Sequence, residues 1–120
     1  METLCVVLYQ DDPRTAQTLA VSLSQHFESV HLARSYDEVR PAIARLRAEA
    51  LVLDLERSGP SEVERLHREF PALRIVGTHR LADDKLWAEA LTLGAYDIVE
   101  PRNVDVVSSL KLGLARSVAA

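Results

Sequence analysis

The sequence contains few of the residues on which several classes of protein depend. Cys5 is the single cysteine among 120 residues, so an intrachain disulfide framework is excluded. No apolar run approaches the ~18 residues that a membrane-spanning helix requires, and the start of the chain lacks the pattern of a signal peptide. We therefore expect a cytoplasmic protein with a reduced, buried thiol at Cys5 and no membrane partner.

Positive charge is also scarce. The chain has 14 Lys and Arg residues against 18 Asp and Glu residues, and the two signs are interspersed. A domain that binds nucleic acid usually presents a basic face, so we predict that this segment does not contact DNA itself. With 48% apolar residues, the length suits a single domain, residues 1–120, with one hydrophobic core.

The chain does contain a regular alternation of short apolar runs and helical patterns. The runs that predict strands are residues 4–8, 30–33, 50–54, 73–78 and 98–99. Helical spacing predicts helices at residues 13–27, 36–46, 61–70, 83–93 and 104–114, with a loop at 57–60. The inward faces of the predicted helices include Phe27 and Leu114. Helix starts are predicted at Asp12, Ser35 and Asn103, and a helix end is predicted at Gly94. This alternation predicts an α/β fold, a doubly wound parallel sheet between two helical layers.

Residues 50–54, Ala-Leu-Val-Leu-Asp, are the most informative of these runs. Four uninterrupted apolar residues are typical of a strand buried on both faces, and this strand ends on a single carboxylate, Asp54. Sites in open α/β sheets lie beyond the carboxyl ends of the strands. We therefore predict that Asp54 shares a rim with other strand-end residues, namely Asp11, Asp12, Thr78 and Pro101.

Three carboxylates at one rim repel one another unless a cation lies between them, and Mg²⁺ is the cation that such oxygen ligands prefer. A nucleophilic aspartate beside that metal can accept a phosphoryl group, and Thr78 can donate a hydrogen bond to it. Structural roles remain open, since Asp12 suits a helix cap, Asp11 a turn and Thr78 a strand end. Asp54 has no such explanation, because a lone carboxylate ending a buried strand rarely adds stability.

These segments resemble the receiver domain of a bacterial two-component response regulator, over the whole length of the chain. The matching segments are residues 10–13, 51–54, 75–78, 93–97 and the turn at Pro101. The resemblance implies a three-layer, flavodoxin-like (βα)5 fold with strand order 2-1-3-4-5. It implies phosphorylation of Asp54 by a histidine kinase, with Thr78 as the switch hydroxyl. The implied Mg²⁺ ligands are Asp11, Asp54 and the backbone carbonyl of Glu56.

The resemblance also implies signalling without enzymatic activity. Receiver domains change partners or dimerise through helix 4, strand 5 and helix 5, a surface that would here carry Trp87, Lys111 and Arg116. We predict that Trp87 is buried in the core; its exposure would instead indicate an interface anchor. Regulation of transcription, and any contact with DNA, would require a separate output domain.

Departures from the receiver pattern surround the site. The acidic turn begins with the neutral Gln10, which should weaken Mg²⁺ binding. Glu100 stands where a lysine usually reaches the phosphoryl oxygens, so it either repels that group or faces solvent. His79 replaces a small residue at the entrance to the aspartate. Together with Asp12, these three residues would lie around the metal and phosphoryl ligands.

Two functions therefore remain open on the same scaffold. In one, Asp54 is phosphorylated weakly or slowly, with Arg80 or Arg102 as a candidate replacement for the lysine. In the other, the domain is a degenerate receiver that acts only through protein contacts or dimerisation and binds no Mg²⁺. A flavodoxin is disfavoured because the first turn is acidic, and a cysteine phosphatase because Cys5 lies in a strand.

Overall fold

The computed structural model describes residues 2–81 and 83–119, with side chains described for residues 4–81 and 83–111. The strands are β1 (Glu2–Tyr9), β2 (Phe27–Leu32), β3 (Ala50–Asp54), β4 (Arg74–Thr78) and β5 (Asp97–Val99). The helices are α1 (Pro13–Ser24), α2 (Val39–Leu46), α3 (Ser61–Glu69), α4 (Asp84–Thr92) and α5 (Asn103–Ala119). A 3₁₀ turn (Tyr36–Glu38) and a single helical turn (Leu55–Ser58) complete the described elements. The predicted alternation of strands and helices is confirmed.

The five strands form one parallel sheet in the order β2-β1-β3-β4-β5, which confirms the predicted fold class and strand order. The register sets Tyr9 of β1 opposite Leu53 and Thr78 of β4 opposite Asp54. The carboxyl ends of β1, β3 and β4 therefore lie side by side, with β3 between its two neighbours.

The core has two halves, one on each face of the sheet. Leu51 and Val52 are consecutive in β3, both are fully buried, and they belong to different hydrophobic clusters. The Leu51 cluster contains side chains from α2, α3 and α4, and the Val52 cluster contains side chains from α1 and α5. This division confirms that β3 is buried on both faces, and it defines a three-layer architecture.

Local signals set several helix ends as predicted. Asp12 caps α1, because its carboxylate accepts hydrogen bonds from the backbone N–H (3.0 Å) and the hydroxyl (2.6 Å) of Thr15. Gly94 follows α4 with φ of 115°, and a Cβ atom there would lie 2.5 Å from Cγ of His67. Both the left-handed backbone and the close ring require glycine at this helix end.

The first helix is shorter than predicted. It ends at Ser24, where the N–H groups of Gln25 and His26 bond to carbonyls three residues earlier (3.1 and 3.0 Å). Phe27 consequently lies in β2, not in the helix, although it is fully buried as expected. Apolar spacing alone could not separate these assignments, because either one buries the phenyl ring.

Four other expectations are corrected. Cys5 is partly exposed, not buried. Ser35 precedes a 3₁₀ turn and makes no capping hydrogen bond with its side chain. Arg57 and Ser58, predicted as loop, belong to the helical turn that Asp54 caps. Trp87 is not in the core, since 47% of its surface is exposed on α4, the helix whose fully buried residue is Ala90. Its indole N–H donates a hydrogen bond to Asp97 (3.3 Å). Leu114 and Arg116 lie outside the side chains that the structure describes.

Candidate functional site

Asp54 is buried at the end of β3, with 6% of its surface exposed. Its Oδ1 atom accepts a hydrogen bond from the backbone N–H of Glu56 (2.9 Å), which caps the helical turn. Its Oδ2 atom accepts one from the backbone N–H of Asp11 (2.9 Å), in the turn after β1. Both carboxylate oxygens are therefore held by the chain itself, which satisfies two polar groups of the backbone.

A cleft of about 260 Å³ opens above Asp54 at this edge of the sheet. It is lined by Gln10, Asp11, Asp12, Thr15, Asp54, Glu56, Arg80 and Pro101. Seven of the residues proposed from the sequence thus come together: Gln10, Asp11, Asp12, Asp54, Glu56, Arg80 and Pro101. Thr78 lies beside Asp54 in the strand register, and His79 and Glu100 are not among the lining residues.

Gln10 and Thr78 are joined across the end of β3. The Gln10 Nε2 atom donates a hydrogen bond to Oγ1 of Thr78 (2.7 Å), and both side chains are buried. A carboxylate at position 10 could not donate this bond, so the amide does more than remove a charge. The hydroxyl accepts this bond and retains its own O–H as a donor, so the amide positions the side chain proposed as a switch.

Glu56 holds the loop that follows β4. Its carboxylate accepts hydrogen bonds from the side-chain Nε (2.9 Å) and the backbone N–H (3.3 Å) of Arg80. Burial raises the pKa of Glu56, but the hydrogen bonds from Arg80 outweigh burial and leave that pKa below its usual value. Sequence reasoning did not foresee this pair, because 24 residues separate its members and no spacing rule connects them.

The other charged candidates lie outside the cleft. Arg102 pairs with Glu100 (3.2 Å) and Asp105 (2.8 Å), so the Glu100 carboxylate is an exposed partner of Arg102. The His79 ring accepts a hydrogen bond at Nδ1 from the N–H of Leu81 (2.9 Å). Arg80 is therefore the member of the predicted pair of arginines that lines the cleft.

A second arginine, Arg57, lies beside Asp11 at the edge of the cleft, and the sequence did not indicate it. Nε of Arg57 lies 3.9 Å from Oδ1 of Asp11, and both side chains are largely exposed. Burial, followed by the charges of Asp11 and Asp54, raises the pKa of Tyr9 on the strand below. Arginine side chains therefore face the acids of this cleft from two sides.

The surroundings of Asp54 are less favourable to Mg²⁺ than the site that the resemblance implies. Mg²⁺ prefers anionic oxygen ligands. Here Gln10 contributes a neutral amide and the cation Arg80 lines the cleft, while each oxygen of Asp54 accepts one backbone hydrogen bond. Among the side chains that the structure describes, in residues 4–81 and 83–111, no group of three His, Cys, Asp or Glu residues is arranged to hold a metal.

Neither a family model nor a curated protein matches the sequence. Among solved structures, the signal receiver domain of a DNA-binding response regulator from Colwellia psychrerythraea 34H has a TM-score of 0.80 at 15% identity, covering 95% of this chain and 98% of that one. A LuxR-family two-component response regulator from Aurantimonas sp. SI85-9A1 has a TM-score of 0.84 at 17% identity, with 95% and 86% covered. RcsB from Salmonella enterica serovar Typhimurium, bound to promoter rprA with BeF₃⁻, has a TM-score of 0.75 at 21% identity, with 91% and 67% covered.

These similarities and the strand order define the class. The chain has the fold of a response-regulator receiver domain. None of the helices that the structure describes has the length and hydropathy needed to cross a membrane.

Proposed function

We propose that this chain is a single signal-receiver domain that acts through protein contacts, without phosphorylation of Asp54 and without enzymatic activity. The fold supports the receiver role, and the interior of the cleft supports the mode of action. The observation that carries the proposal is that the cleft cation, Arg80, is already bound to Glu56, while both Asp54 oxygens accept hydrogen bonds from the backbone.

Phosphoryl transfer to Asp54 would have to disrupt this arrangement. An attacking oxygen must approach phosphorus in line, and the charge of the transferring group must be neutralised by cations positioned for it. In this cleft the cation among the lining residues, Arg80, would have to leave Glu56 to meet the phosphoryl group. This exchange costs free energy that a preorganised site avoids.

Weak phosphorylation of Asp54 is the second candidate. It is favoured by the position of the carboxylate at the floor of an open cleft, beside Asp11 and Glu56, with Arg80 in the wall. In this version Arg80 would take over the role of the missing lysine, and a histidine kinase would be the phosphodonor.

The proposed contact surface consists of α4, β5 and α5. Trp87 is 47% exposed there, and Leu81, in the loop before α4, is 74% exposed. Exposed aromatic side chains are frequent anchors of protein interfaces. A signalling protein such as a kinase, or a second copy of this chain, is the proposed partner. Contact with DNA would be made by a separate output domain; this proposal is supported by the promoter-bound RcsB chain, of which this chain covers 67%.

Mass spectrometry of the protein incubated with Mg²⁺ and a small phosphodonor tests the proposal. We expect the mass to remain unchanged, because Gln10 removes an acid from the cleft and its cation, Arg80, is bound to Glu56. The Asp54→Asn variant is the matched control, since it keeps the side-chain volume. An added ~80 Da in the parent that is absent in Asp54→Asn would overturn the proposal in favour of the second candidate.

A further inference from the structure

Arg80 is fixed in the cleft by two of its own groups. Both its backbone N–H and its side-chain Nε donate to the carboxylate of Glu56 (3.3 and 2.9 Å). A carboxylate that binds the main chain and the guanidinium of one residue restricts both the loop and the side chain. The guanidinium is therefore directed toward the acid cleft, although 78% of the side chain is exposed.

The guanidinium is within electrostatic reach of three carboxylates. The hydrogen bond and charge of Glu56, followed by the charges of Asp54 and Asp12, raise the pKa of Arg80. Arg57 is less closely engaged, because its Nε lies 3.9 Å from Asp11, at the limit of an ion pair. Of these two cations, Arg80 is the one bound within the cleft.

We propose that Arg80 is the resident cation of the acid cleft, so that its charge takes the place of a divalent metal ion. The residues that line the cleft carry four carboxylates and one cation, and Arg80 is that cation, so it competes with any other cation that approaches. This inference rests on the proposed function, because a cleft that holds its own cation fits a domain that is not switched by phosphorylation. It explains how the acids that follow β1 and β3 remain together without a divalent ion between them.

Titration of Mg²⁺ into the parent and variants by calorimetry tests the proposal. In Arg80→Ala and Arg80→Gln we expect Mg²⁺ to bind at least about tenfold more tightly than the limit set by the parent, because one positive charge leaves the acids. Thermal unfolding of both variants should shift upward on addition of Mg²⁺ at constant ionic strength. Arg80→Lys keeps the charge, so its affinity should remain that of the parent.

Arg68→Ala is the matched control. Arg68 forms an ion pair of the same length with Glu64 (2.9 Å), and its side chain is 74% exposed, but it lies on α3 and does not line the cleft. Its Mg²⁺ affinity should equal that of the parent. Equal affinities in the parent, Arg80→Ala and Arg68→Ala would overturn the proposal, and so would an Arg80→Lys affinity as high as that of Arg80→Ala.

The two proposals fail in different experiments. Phosphorylation of the parent would overturn the proposed function, but it would leave the comparison of Mg²⁺ affinities between Arg80 variants intact. Equal Mg²⁺ affinities would remove Arg80 as the resident cation, yet the mass after treatment with a phosphodonor would be unaffected.

Discussion

Leu51→Ala is expected to lower the free energy of unfolding by about 2–5 kcal/mol, because it leaves a cavity in a fully buried cluster. Val52→Ala should lower it by about 2 kcal/mol, since two methyl groups are lost on the opposite face of the same strand. Urea unfolding followed by circular dichroism measures both changes. The pair matters because the residues are adjacent in β3 and point to different faces of the sheet.

Val104→Ala is the control, because Val104 is 75% exposed and its change should stay within about 0.5 kcal/mol. A sheet covered by helices on one face only would tolerate one member of the β3 pair. If either Leu51→Ala or Val52→Ala were as mild as the control, the three-layer architecture would be wrong.

Gln10→Glu should destabilise the domain by about 2–3 kcal/mol at neutral pH. The change is isosteric, and the Thr78 hydroxyl can rotate to donate to the new carboxylate, so loss of the hydrogen bond is not the main cost. The cost arises because a further negative charge is buried beside Asp11 and Asp54. Added Mg²⁺ should restore part of the stability, because the new carboxylate supplies the ligand that Gln10 lacks.

Gln17→Glu makes the same chemical change on the exposed side of α1. Its stability should differ from that of the parent by less than about 0.5 kcal/mol and should not respond to Mg²⁺. A Gln10→Glu variant as stable as Gln17→Glu in the absence of Mg²⁺ would show that the acids of the cleft are not electrostatically crowded.

The fold was predictable from the sequence because its signals are local or periodic. Apolar runs identify strands, and caps such as Asp12 and Gly94 mark helix ends within a few residues. Parallel strands bring their carboxyl ends to one edge, so the grouping of Asp11 with Asp54 followed from the topology. The exposure of Trp87 was not predictable, because the neighbouring Leu86 and Ala90 give the same pattern whether or not the indole is buried.

The hydrogen bonds and ion pairs within the site were not predictable, because they join positions that are distant in the sequence. The Gln10–Thr78 bond spans 68 residues, and the Arg80–Glu56 pair joins the ends of two different strands. Composition and spacing contain no information about which donor faces which acceptor across a rim. The sequence could therefore indicate that Gln10 alters the metal site, but not that its amide binds Thr78.

The carboxylates of Asp54 and Glu56 in the acid cleft accept hydrogen bonds from the chain's own backbone and from Arg80. Amide chemical shifts of the parent, recorded during titration with Mg²⁺ and then beryllofluoride, test this claim most directly. We predict that the amide signals of Asp11, Glu56 and Arg80 stay in place throughout. Saturable shifts of these signals, centred on the end of β3, would contradict the claim and restore Asp54 as a working phosphoacceptor.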